Sequence, residues 1–248
     1  MTNFYLGLAL IIALTVNARP AALRVAGMLV AVGALALMAA SIVLADLDGT
    51  FAAAPAASWT PLFLNLEATL LTAGALLLLW GIPRQLRRAP AEVPLRSTPA
   101  AYGQVTRGLH WASATLIVTA FVIGQFVTVL PPTRPERADF LATHMSIGAA
   151  IFLLTMARLA ERLFREAPPN RLAAHAGHFL LYCLLIATSL TGLALAGGPV
   201  PLLGLQLPPL PPDPLAAPLH RSVLPVLFGL LFAAHLVGAV KALGRMTR

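Results

Sequence analysis

Three histidines open long apolar runs, His110 in TRGLHWAS, His144 in ATHMSIG and His220 in PLHRSV, and a fourth, His235 in FAAHLVG, lies within the last of them. Neutral imidazole is a good iron ligand, and facing helices of a bundle are a natural place to build a cofactor site from side chains. At about 1.5 Å of rise per residue, His220 and His235 lie roughly 22 Å apart along one helix. Depth then pairs His110 with His235 on one side of the membrane and His144 with His220 on the other. A lone histidine at a helix mouth is usually an interfacial polar group, but four that pair by depth point to two metal or haem sites. Zinc is the poorer candidate, because each level has two histidines without a supporting cysteine or carboxylate pattern. Two axial histidines fill both free positions of a haem iron, which leaves electron transfer as its chemistry.

The elements that must hold these residues are membrane helices. Of the 248 residues, 58% are apolar and only 10% charged, whereas a soluble domain carries about 25% charged residues. The expected fold class is an all-α integral membrane protein. Spans of roughly 20 apolar residues are expected at about Asn3 to Val16, Val25 to Ala45, Pro61 to Gly81, Gly108 to Leu130, His144 to Leu163, His175 to Ala196 and His220 to Leu243. The first is short, but it lacks the basic start of a secretory signal and is counted as a span. The single cysteine, Cys183, excludes an internal disulfide framework and a cysteine-cluster metal site.

The net charge of +8 comes from basic residues in short loops, so topology explains it better than nucleic acid does. Arg19, Arg24, Arg84, Arg87, Arg88, Arg96, Arg107, Arg158, Arg162, Arg165, Arg171, Lys241, Arg245 and Arg248 fall on one side of alternating spans. Only Arg134, Arg137 and Arg221 fall opposite. The positive-inside rule then puts the N-terminus outside and the C-terminus in the cytoplasm.

Residues 82–101, IPRQLRRAPAEVPLRSTPAA, read as a basic, proline-rich cytoplasmic linker. It divides a three-span N-terminal part, residues 1–81, from a four-span part, residues 102–248, which holds all six histidines. Gly27, Gly33 and Ala-Ala pairs in the second span suit close helix approach. Glu67 is the one clear acid within an N-terminal span. It lies a turn or two from the expected outer edge, and its plainest reading is an interfacial carboxylate that reaches water.

The motifs of the second part carry a resemblance. YGQVTRGLHW, from Tyr102 to Trp111, resembles the opening of the bacterial cytochrome b561 family, with a tyrosine eight residues before the histidine of Leu-His-Trp. HMSIGAAIFLLTMARLAERLFREAPP is similar to that family's second helix, AHAGHFLLYCLLIATSLTGLAL to its third and LHRSVLPVLFGLLFAAHLVGAVKAL to its fourth. The likeness runs from about Ala101 to Leu243, and the three N-terminal spans fall outside it. The resemblance implies a four-helix transmembrane bundle holding two haem b groups, with His110, His144, His220 and His235 as axial ligands. Arginine follows His220 here where the family commonly has glutamate. The step from His220 to His235 is one residue longer than usual, and Pro225 lies within it, where a kink would absorb the extra residue.

Haem propionates are anionic and call for basic or hydrogen-bonding partners. Arg107 and Lys241 are candidates at the cytoplasmic level; Arg221, with Arg134 and Arg137, is a candidate at the outer one. His175 and His178 are candidates for contact with a propionate or a quinone headgroup. The implied function is transmembrane electron transfer linked to ubiquinone or a related quinone in a bacterial inner membrane. The chain would serve as the membrane subunit of a redox partner such as a periplasmic dehydrogenase or a cytochrome c. Alternatives are a superoxide oxidase, and a structural subunit of a larger respiratory or photosynthetic complex.

Overall fold

The computed structural model of the chain describes residues 1–56, 58–87, 92–165, 168–169 and 172–247, with side chains described as far as residue 239 of the last helix. Arg88 and Arg171 lie outside the described residues. Among the described residues the α-helices are, in order, α1 (Thr2–Thr15), α2 (Ala21–Leu47), α3 (Thr60–Leu86), α4 (Gln104–Val129), α5 (Pro135–Phe164), α6 (Leu172–Leu195), α7 (Ala216–Pro218) and α8 (Leu224–Thr247). A π-helical turn, Leu219–Val223, joins α7 to α8 without a break. The protein is an all-α integral membrane protein. Among the described residues, six helical stretches are long and apolar enough to cross a bilayer, the last being Ala216–Ala239. Large apolar side chains such as Leu37, Leu76 and Leu230 are 60% or more exposed on these helices, as lipid-facing positions require.

The first expected span forms a helix of the expected length, shifted by one residue, and it is a short one. α1 has 14 residues, about 21 Å of helix against a hydrocarbon core of about 30 Å. It stops at a turn of Val16 and Asn17, and Arg24 Nη1 donates to the carbonyls of Ala18 and Arg19 at 3.1 and 2.9 Å. Gly27 lies against α1: a Cβ built there would overlap the Thr15 side chain, so the α1–α2 approach needs glycine at this position. Gly33, expected to serve similarly, has nothing near its missing side chain.

Other boundaries also moved. α3 continues through Pro83 to Leu86, so the first residues of the expected linker are helical. α5 begins with Pro135 at its first position and Glu136 in its first turn, a favourable start for a helix. His144 is therefore the tenth residue of α5 rather than its opening. Between α6 and α7 a two-stranded hairpin, β1 (Val200–Leu202) with β2 (Leu205–Leu207), turns on Leu203 and Gly204, both at positive φ. That is the backbone a tight, right-twisted hairpin demands. Val200 and Leu202 are buried beneath it.

The chain forms two compact units, one of Met1–Glu92 with Ala114–His144, the other of Val93–Ser113 with the chain from Met145 onward. In the first, Ala39, Ile42 and Ala45 of α2, Leu64 and Leu71 of α3, and Val122 and Val129 of α4 form one buried cluster with Phe51. Phe63 meets Phe121 edge to face, with centroids 6.2 Å apart. The α2–α3 turn is fixed by Asp48, whose Oδ1 accepts from the hydroxyl and the backbone N–H of Thr50. These bonds hold the Asp48 carboxyl below its usual range. Glu67 does not reach water: it is 7% exposed, on the α3 face that carries Leu64 and Leu71. The cost of a charge at a helix centre, roughly 2.5–3.5 kcal/mol on insertion scales, makes this placement unusual.

Candidate functional site

The second unit gathers three histidines at one place. His110 is the seventh residue of α4, and its ring lies 6.2 Å from that of His235 on α8, centroid to centroid, at an interplanar angle of 51°. An imidazole nitrogen sits about 2 Å from the metal it binds, so two rings sharing one ion from opposite sides have centroids roughly 6 Å apart. The His178 ring lies 5.6 Å from that of His235, centroid to centroid. Arg158 of α5 donates from Nη2 to His110 Nδ1 at 3.2 Å, and its guanidinium stands 5.5 Å from the Tyr182 ring. A guanidinium only donates, so in this arrangement His110 accepts at Nδ1.

The orientation of His235 depends on the turn before it. A π-helical turn takes one more residue than an α-turn, and Leu219–Val223 adopts it just ahead of Pro225. The 15-residue step from His220 to His235 is thereby returned to the phase of a 14-residue α-helical step. Pro225, which has no N–H to donate, is the second residue after this turn.

The start of α4, which carries Arg107 and His110, is fixed by the chain before it. Gly103 N–H donates to Ser97 Oγ at 3.1 Å, Ser97 meets Thr106 Oγ1, and Thr106 donates to Glu161 of α5. Gln104 Nε2 donates to the Val93 carbonyl at 2.9 Å. The second half of the expected linker is thus folded onto α4. A Cβ on Gly103 would overlap the backbone of Arg96 and Ser97, which no side-chain rotation relieves. Gly103→Ala is therefore expected to cost about 1–3 kcal/mol and to lower the temperature at which the His110 site releases its ligand, read by following absorbance on heating.

His144 and His220 have matching surroundings, one in each unit. His144 Nδ1 lies 2.9 Å from the carbonyl of Ala120, four residues before Gly124; His220 Nδ1 lies 2.9 Å from the carbonyl of Thr188, four residues before Gly192. A carbonyl only accepts, so each neutral ring carries its proton on Nδ1 and its lone pair on Nε2. This is the support that metal-binding histidines usually have. Each ring lies over its glycine: a Cβ would come within 2.9 Å of His144 Cε1 and 2.8 Å of His220 Cε1. Among the described residues, no three or more His, Cys, Asp or Glu converge to hold a bare ion.

The family model for prokaryotic cytochrome b561 matches residues 101–247. This chain belongs to the prokaryotic cytochrome b561 family. It is also similar to cytochrome b561 homolog 2 of Escherichia coli (strain K12), at 29% identity over 119 residues, covering 44% of this chain and 63% of that protein. The chain thus matches less than two thirds of that relative's length. No solved structure matches. The family is one of membrane b-type cytochromes of electron transfer, which bind haem b.

The remaining candidates divide. Arg107 is 1% exposed, three residues before His110. Arg221 is exposed beside His220. The side chain of Lys241 lies outside the described residues. Arg134 pairs with Glu136 at 3.2 Å, and Arg137 Nε donates to the Val127 carbonyl at 3.2 Å. His175 is exposed and receives a hydrogen bond from Arg162 Nη2 at 3.2 Å, whereas His178 lies in the histidine cluster. Arg158 was counted for topology alone, although an arginine reaching inward from an apolar helix is by default a functional residue.

Proposed function

We propose that this cytochrome b561 carries two haem b groups and passes electrons across the membrane to quinone as the membrane subunit of a redox partner. His110 with His235, and His144 with His220, would be the axial pairs. The observation that carries the reading is the repeated setting of His144 and His220, each with Nδ1 on a helix carbonyl and its ring over a glycine. When bound, haem would supply one-electron transfer.

The protein's own part is to orient and neutralise. The carbonyls of Ala120 and Thr188 hold the Nδ1 protons and raise the basicity of Nε2. Arg107 would neutralise a propionate near His110, as Arg221 and Lys241 would near their own histidines. Ligation by His110 Nε2 requires the ring proton at Nδ1, where Arg158 now donates. Arg158 would then turn to an anion. His178 and His175 at the same helix end supply hydrogen bonds suited to a quinone headgroup.

The arginine-rich ends of α3, α5 and α8 favour a cytoplasmic C-terminus in a bacterial inner membrane, whichever way the short α1 lies. An outer N-terminus depends on α1 alone. The superoxide alternative has less support, because Arg134 and Arg137 are engaged with Glu136 and Val127 rather than left to draw an anion. Purified full-length protein, assayed by pyridine haemochrome, is expected to hold two b haems per chain. Dithionite-reduced protein is expected to reoxidise with a soluble ubiquinone analogue. Haem that stays reduced in excess quinone would remove the quinone link, and a single haem would remove one histidine pair.

A further inference from the structure

The family match leaves α1 to α3 without a role, and one residue there is out of keeping with a packing surface. Glu67 lies within a helix of membrane-spanning length, 7% exposed, and neither carboxyl oxygen has a hydrogen-bond partner. Its neighbours on the same face, Leu64 and Leu71, belong to the buried cluster completed by Ala39, Ile42, Val122 and Val129. A carboxylate placed there would have neither water nor a counter-ion, and an isolated charge in an apolar interior is relieved most cheaply by taking up a proton.

Among the described residues, no cation on the neighbouring elements is bonded to it. α1 carries only Tyr5 as an ionisable side chain, and α2 has Arg24 near its start and Asp46 near its end. Arg24 is bonded to the carbonyls of Ala18 and Arg19. Arg84 of α3 stacks on Trp80 at the far end of the helix. The part of α4 from Ala114 to Val129 has no ionisable residue. On the first residues of α5, Glu136 pairs with Arg134, Arg137 bonds to Val127, Asp139 is exposed, and His144 bonds to Ala120.

We propose that Glu67 is a proton-binding site, a carboxylic acid held inside the N-terminal helices, which gives this part of the chain a chemistry of its own beside the redox histidines. Such a group is the target of hydrophobic carbodiimides. The carboxyl proton passes to one carbodiimide nitrogen, the carboxyl oxygen bonds to the central carbon as one C=N π bond breaks, and the adduct rearranges to a stable N-acylurea. No electrons are exchanged, and a carboxylate without its proton does not start the reaction.

The test uses the full-length protein in lipid vesicles, treated near neutral pH with dicyclohexylcarbodiimide or with a water-soluble carbodiimide plus an amine, followed by mass spectrometry of the peptides. The expected result is an acylurea on Glu67 from the hydrophobic reagent and none from the soluble one, which instead modifies exposed acids such as Asp48. Label on Glu67 should fall as the pH is raised and be lost in Glu67→Gln. Because the decisive comparison is made on the unaltered chain, it does not depend on that variant folding. Glu67 left unmodified by the hydrophobic reagent, or modified as readily as Asp48 by the soluble one, would overturn the proposal.

Discussion

Replacing His110 with alanine is expected to remove one haem and leave the other, and His235→Ala is expected to remove the same one. The two rings stand 6.2 Å apart, a separation suited to one iron between them. Losing either nitrogen opens an axial position, and the bis-histidine low-spin spectrum of that haem should vanish together with its step in a redox titration. His144→Ala and His220→Ala should share the loss of the other haem. Haemochrome content should fall by half in each single variant, and by no more in the double variant His110→Ala with His235→Ala. His178 complicates the reading, because it lies 5.6 Å from His235 and can offer a replacement nitrogen. His178→Ala is accordingly expected to retain both haems, whereas His235→Ala with His178→Ala should show the cleanest loss. If the single variants pair differently, for instance His110 with His220, the assignment by depth is wrong.

The depth argument reached the His110–His235 neighbourhood because helical rise is nearly constant, so counting residues measures height. Azimuth is harder to count. A single π-turn shifts every later side chain around the axis, and nothing in LHRSVLP except its proline announces one. Helix bodies were legible for a related reason: apolar runs must satisfy their backbone internally in lipid, and a helix is the local way to do it. Helix ends were less legible. Pro135 and Glu136 begin α5 well before the apolar run, and Pro83 lies inside α3 near its end. Charge and proline there had suggested loop, while capping and continuity favoured helix. Glu67 was misjudged because its sequence position gives depth but not whether its face of α3 looks to water or to α2. Arg158 was missed because the orientation rule already accounted for it. The carbonyl partners of His144 and His220 are properties of three-dimensional approach and had no signal in one sequence.

Those partners lead to the second large effect. Gly124→Val is expected to weaken haem binding at His144 by about 10–100-fold, the usual scale for disturbing the support of a metal ligand, and Gly192→Val to do the same at His220. The cause is steric. Even a single methyl at Gly124 would lie 2.9 Å from His144 Cε1 and 3.3 Å from Nδ1, and at Gly192 it would lie 2.8 and 3.3 Å from the same atoms of His220. Either ring must then tilt off its carbonyl at Ala120 or Thr188, which turns Nε2 away from the position that this bond sets. Gly124→Ala and Gly192→Ala are the informative milder variants. Alanine favours helix over glycine by about 1 kcal/mol, so the fold should gain or hold stability while the haem signal shifts. Loss of haem together with loss of the helical circular-dichroism signal would mean that the fold had failed. A shifted low-spin electron paramagnetic resonance signal in a chain of undiminished thermal stability would place the effect at the imidazole. Gly148→Ala and Gly177→Ala serve as controls, because a Cβ at either meets nothing within 4 Å. They should leave both haems as they are. If Gly124→Ala and Gly192→Ala behave like these controls, the glycine notches do not set the rings, and the symmetry of the two sites has no bearing on haem binding.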